Sequence, residues 1–122
     1  MNFEDISTGI DIENIQRFEK YSADDELVKR IFSEKEIDYC FSHRFPAKHL
    51  AVRFSAKEAV YKALSSLNIN KINYSDIEVT NTDDGVPQIT ILKNGFDNFK
   101  FRLSLSHGNG NALASVIVIK TE

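Results

Sequence analysis

At 122 residues, 42% hydrophobic and 27% charged, the chain has the make-up of one ordinary globular domain, 1–122, with enough apolar material for a core. A net charge of −3 with both signs interspersed argues against a nucleic-acid binder, and a single cysteine, Cys40, excludes an internal disulfide framework and fits a reducing cytoplasm. No basic segment followed by an apolar run opens the chain, and no apolar stretch approaches the roughly 20 residues of a membrane span.

In chain order, Ile6 to Ile12 (ISTGIDI) reads as a short strand running into a helix over Glu13–Lys20. SADDE, Ser22 to Glu26, is a helix start with a serine cap and acids in the first turn, facing the positive end of the helix dipole. Ser33 to Glu36 (SEKE) fits a capping box opening a helix through Phe41. Pro46 suits the first turn of a long helix reaching Leu67. Beyond it, Asp76–Thr80 and Pro87–Leu92 flank the turn-rich NTDDGV and predict a hairpin. Lys100–Ser106 alternates, with Phe101, Leu103 and Leu105 on one face, and Ala112–Lys120 is rich in β-branched residues. The expected class is α+β: an N-terminal strand and helices, then a three- or four-stranded antiparallel sheet.

The long helix carries the chemistry. Its apolar arc (Val52, Ala56, Ala59, Val60, Ala63, Leu64) is wider than a surface helix needs. Glu58 and Lys62 fall on the remaining polar strip with Ser55, as an i,i+4 pair in the favourable order. Read by itself, this pair is most simply a solvated helix pair. Arg53 and Lys57 point into the apolar arc, where a cation must snorkel, pair, or meet a ligand or another chain. Such a set suits a phosphate ester with a divalent metal, the carboxylate taking the cation and the lysine a phosphate oxygen. Asp11, an acid between Ile10 and Ile12, is either an edge residue, a cap, or a second carboxylate for that metal. Cys40 is expected to pack as a small apolar residue. His43, His49 and His107 lack metal-ligand spacing, and His43 and His49 are expected at the surface.

Taken together, GIDIE-N-I-QR, RFSAKEAVYKAL, DIEV…DDGVPQI and LSLSH resemble, in order and over nearly the whole chain, holo-acyl-carrier-protein synthase, the small type of 4′-phosphopantetheinyl transferase. The resemblance implies transfer of phosphopantetheine from coenzyme A to a serine of an acyl carrier protein, releasing adenosine 3′,5′-bisphosphate. It implies that Asp11 and Glu58 hold Mg²⁺ and that Lys62 meets a phosphate oxygen and helps the leaving group. Arg53 and His107 match positions near the adenosine and 3′-phosphate end, and Arg17 a basic residue that meets the acidic carrier. It also implies a homotrimer with active sites between subunits, so that a neighbouring chain would cover Arg53 and Lys57. Glu36 and Asp38 are candidates for taking the serine proton, directly or through a water.

Three departures from the family pattern stand out. Asp24, Asp25 and Glu26 occupy a place where members often carry basic residues for carrier docking. The segment after KAL, SSLNINKINYS, has no glycine, and the turn after SLSH is the flexible GNGN. They motivate an alternative from another class, a non-catalytic coenzyme A- or carrier-binding module of the same fold. Which carrier is served, in fatty-acid synthesis or elsewhere, stays open at this level.

Overall fold

The computed structural model describes residues 2–122. A nine-residue strand, β1 (Ile6–Asn14), leads through a 3-10 turn (Ile15–Phe18) to α1 (Glu26–Ile31), α2 (Glu34–Phe41) and α3 (Pro46–Ser66). A hairpin, β2 (Ile77–Asn81) with β3 (Pro87–Ile91), precedes β4 (Phe99–Gly108) and β5 (Asn111–Lys120). The architecture is α+β, as expected. The sheet differs in detail: β1 joins it, giving the antiparallel order β1-β5-β4, while β2 and β3 form a separate two-stranded sheet. No described helix is long and apolar enough to cross a membrane.

Helix α3 lies on one face of the large sheet, against β1 and β5. Ala59, Val60, Ala63 and Leu64 meet Val116 and Val118 of β5 and Ile77 and Val79 of β2 in the main core. A second cluster joins Phe18, Val28, Phe32, Cys40 and Leu50. Contact between β1 and α3 is close enough that a Cβ at position 9 would overlap the Ala59 carbonyl. Gly9 opposite two alanines therefore sets the strand-to-helix spacing.

That spacing orients β1 in a way the sequence pattern does not suggest. Side chains alternate across a strand. Ser7, Gly9 and Glu13 are buried on the α3 side, whereas Ile10 and Ile12 are 61% and 60% exposed on the other face. Asp11 is thus not an edge residue turned to water. It is an inward-facing acid between outward-facing isoleucines.

Two helix predictions shift. The segment over Glu13–Lys20 is strand to Asn14 and then a 3-10 turn, because Asn14 accepts from the Gln16 amide and closes the turn early. The SADDE helix begins only at Glu26; Asp25 occupies the cap position, and its carboxylate accepts from the Ser22 amide instead of capping the helix. The capping box at Ser33 and Glu36 forms, and Pro46 occupies the first turn of α3.

Lys57 and Glu36 are completely buried and paired at 2.7 Å. The ammonium also donates to the carbonyls of Tyr74, at 2.9 Å, and Ile77. Glu36 accepts from the Ser33 and Val79 amides, each at 2.8 Å. Burial pushes the lysine below its usual range while Glu36 and Glu78 push it back. The expectation that a neighbouring chain covers Lys57 is therefore corrected: its partner lies inside the chain. Glu36 is likewise corrected as a proton acceptor, since its oxygens are sealed from solvent and already engaged. Ser55, expected on the polar strip, is buried and donates to the Val52 carbonyl.

Replacing Lys57 with Met leaves Glu36 buried without its counter-charge. The expected loss in urea unfolding is about 3–5 kcal/mol; a variant as stable as the parent would show that this pair does not hold α2, α3 and β2 together.

Candidate active site

Two elements contribute the acidic side chains. Asp11 and Glu13 stand on the inward face of β1, and Glu58 comes from α3 one turn before Lys62. The Lys62 ammonium donates to Asp11 Oδ1 at 3.0 Å and to the Ile10 carbonyl at 3.1 Å. Glu13 takes Arg17 at 2.8 Å, and Glu58 Oε1 accepts from the Tyr74 hydroxyl at 2.9 Å. Each carboxylate thus has a different donor. The expected Glu58–Lys62 pair is not formed: Lys62 reaches two oxygens on the adjacent strand, and Glu58 takes the Tyr74 hydroxyl.

The electrostatics reflect the crowding. Burial, a hydrogen bond to Asp11 and the charges of Asp11 and Glu58 push Glu13 up to about 7, against the pull of Arg17. Burial and the Glu58 carboxylate push the Tyr74 phenol up to about 12, so it remains a donor. Asp11 Oδ2 is buried with no hydrogen-bond partner among the described residues. A buried acceptor of this kind is open to a cation, or to the proton that Glu13 carries at its raised pKa. No three acidic, histidine or cysteine side chains converge as a cage among the described residues. A hard divalent cation needs only one or two carboxylates when waters and phosphate oxygens complete its shell. Asp11 and Glu58 fit that requirement.

The other residues implied by the sequence lie elsewhere. Arg53 is buried, its guanidinium 4.0 Å over the Tyr39 ring and its Nε unpartnered. With Lys48, His49 and His107 it lines a cavity of about 460 Å³. This cavity shares no residue with the recess of about 500 Å³ beside Lys62, which Thr8, Gly9, Ile10 and Ser115 line. The cationic hollow and the recess beside Lys62 are therefore distinct cavities. His43 and His49 are half-buried rather than superficial: their rings lie 4.1 Å apart, tilted by 39°, and His49 meets Tyr39 edge-on. Asp38 is exposed on α2. The Arg17 side chain, 65% exposed, edges a small apolar recess of Phe18, Leu27, Ile31 and Phe54.

Sequence reasoning missed two members of the cluster. Glu13 was legible, since two residues beyond Asp11 on a strand is the same face. Tyr74 gave no signal, because its approach to Glu58 depends on how the loop after α3 folds back.

Residues 7–117 match the family model of the 4′-phosphopantetheinyl transferase superfamily. The chain belongs to that family. Among curated relatives it is 40% identical over 119 residues to holo-[acyl-carrier-protein] synthase of Geobacter sp. (strain M21), covering 91% of this chain and 95% of the relative. The corresponding synthase of Thermodesulfovibrio yellowstonii is 39% identical over 112 residues, covering 90% and 95%. Among solved structures, a Bacillus anthracis holo-(acyl-carrier-protein) synthase in complex with CoA (3′,5′-ADP) superposes with a TM-score of 0.78 at 31% identity, over 94% of this chain and 96% of that one. The Helicobacter pylori synthase in complex with coenzyme A gives 0.77 at 32% identity, over 91% and 98%.

Burial, aided by the charges of His43, Lys48, Arg53 and His107, holds His49 down to about 4 against an ordinary 6.5. Between those values the unfolded chain binds the extra proton, so folding stability falls as pH drops through the window. Glu13, raised to about 7, contributes the opposite slope over much of the same window, so the difference between variants carries the test. In melting curves from pH 7 to 4, His49→Gln should lose less stability, or gain more, than the parent as pH drops; identical pH dependence in the two would locate the sensitivity elsewhere.

Proposed function

We propose that residues 1–122 act as one transferase domain that moves 4′-phosphopantetheine from coenzyme A to a serine hydroxyl of an apo acyl carrier protein. The observation that carries this is the contact of Lys62 with Asp11, with Glu58 one helical turn before that lysine and one buried Asp11 oxygen unpaired. The naming of the relatives as holo-[acyl-carrier-protein] synthases supports it. A reducing cytoplasm is the setting that one buried thiol, Cys40, suits.

In this reading Asp11 and Glu58 hold Mg²⁺, which supplies charge neutralisation for the pyrophosphate when bound. Lys62 exchanges its contact with Asp11 for a phosphate oxygen and steadies the departing bisphosphate. The serine oxygen bonds to the β-phosphorus of coenzyme A, the bond from that phosphorus to the bridging oxygen breaks, and adenosine 3′,5′-bisphosphate leaves. Displacement of this kind needs positioning and charge neutralisation more than covalent help from the protein. Asp38 or a water takes the serine proton, Glu36 being sealed in the core. Arg53 and His107 meet the 3′-phosphate: an unpaired buried guanidinium in a cationic hollow favours a dianion. Arg17 meets the acidic carrier beside its apolar recess.

The separation of the cationic hollow from the acid–lysine cluster supports a homotrimer with each site shared between subunits. The outer face of the large sheet provides a surface for it: Ile10 and Ile12 stand beside Leu113 and Ile117 of the paired strand, all exposed. Contiguous apolar exposure of this kind marks an interaction face.

Mass spectrometry of an apo carrier incubated with coenzyme A should show one added phosphopantetheine with Mg²⁺ and none without it. Glu58→Gln should reduce turnover to the metal-free level. Full turnover in that variant, or in the absence of metal, would sink the metal assignment; coenzyme A binding without transfer to any of several carriers would favour a non-catalytic module. Ile10→Lys should yield monomers by light scattering and lose transfer, since each subunit would then hold only part of a site. An active monomer would sink the shared-site reading.

A further inference from the structure

Glu58 has two candidate partners, and the structure gives it the less obvious one. Lys62, one turn further along α3, is placed for a favourable helix pair. The carboxylate instead accepts from the Tyr74 hydroxyl at 2.9 Å, across the turn that follows the helix. Tyr74 is fixed on three sides. Its ring packs against Phe54 at 5.5 Å and Tyr61 at 5.7 Å between centroids, and its carbonyl accepts from the buried Lys57 at 2.9 Å. Lys57 and Glu58 are neighbours in the helix, so the same segment of α3 grips Tyr74 by its backbone and is gripped in return by its hydroxyl.

We infer that Tyr74 is a positioning residue that withholds Glu58 from Lys62, keeping the carboxylate for the divalent cation and the lysine for phosphate. This rests on the metal site proposed above. A hydrogen bond to one oxygen fixes the carboxylate's rotation and leaves its second oxygen for a cation, the usual task of an outer-shell partner. Without it, Glu58 and Lys62 neutralise each other through the ordinary helical contact, and both functions weaken together. A phenylalanine at position 74 could fill the same space between Phe54 and Tyr61 but could not hold the carboxylate.

The test is a Mn²⁺ titration, followed by electron paramagnetic resonance of the free ion, on the full chain with coenzyme A and against a coenzyme A blank. Tyr74→Phe should weaken Mn²⁺ binding roughly tenfold, with an unchanged melting temperature. The Mg²⁺ concentration for half-maximal transfer should rise in proportion, while the rate at saturating Mg²⁺ changes little. In a Lys62→Met background, where Glu58 has no cation to turn to, adding Tyr74→Phe should cost far less. Binding by Tyr74→Phe equal to the parent, while Glu58→Gln binds none, overturns the inference and leaves the metal site standing. A deficit of the same size in both backgrounds overturns the withholding role. Equal binding by the parent and Glu58→Gln removes the metal site itself and the inference with it.

Discussion

The buried pair of Lys57 and Glu36 is the constraint on which the rest of the molecule leans. Neither charge belongs in an apolar interior, and each is tolerated because its hydrogen-bonding capacity is met: the ammonium by one carboxylate and two carbonyls, the carboxylate by the ammonium and two amides. These contacts join α2, α3, β2 and the turn before β2. Nonpolar residues of similar volume could fill the space, but they would not specify which carbonyls the helix must meet. One of those carbonyls belongs to Tyr74, so the core pair also sets the place from which the tyrosine reaches Glu58.

A second constraint acts from the opposite side of α3. Gly9 and the alanines opposite it bring β1 close to the helix, which puts Asp11 two residues on within reach of Lys62. Close approach has a consequence for the far face. With small and acidic residues facing α3, the isoleucines of β1 turn outward, and the strand presents an apolar surface on the side opposite its own acids. The proposed subunit contact and the proposed metal site are therefore two faces of one strand.

Much of the fold was legible because local signals agreed with it. The capping box at Ser33, Pro46 at the head of α3, the Asp84-Gly85 turn and the alternation of β4 all act within a few residues. The strand after Gly9 was harder: the acids at Asp11 and Glu13 resembled a strand end and a helix start, and only pairing of β1 along the whole of β5 extends it to Asn14. The short helix after Ser22 began late because Asp25 spent its side chain on a loop amide.

For the proposed site, the sequence by itself supplied the candidate groups: Asp11, Glu58 and Lys62 in a recognisable order, with Arg53, His107 and Arg17 as further candidates. Residue type and spacing along a helix or strand are local quantities, and they name the functional groups. Only the tertiary structure decided who pairs with whom. It gave Lys62 to Asp11 across about fifty positions, Glu58 to Tyr74 across a loop, and Lys57 to Glu36 in the core. Those choices are competitions between partners of similar strength, and close approach and burial of distant segments, which no periodicity encodes, settle them.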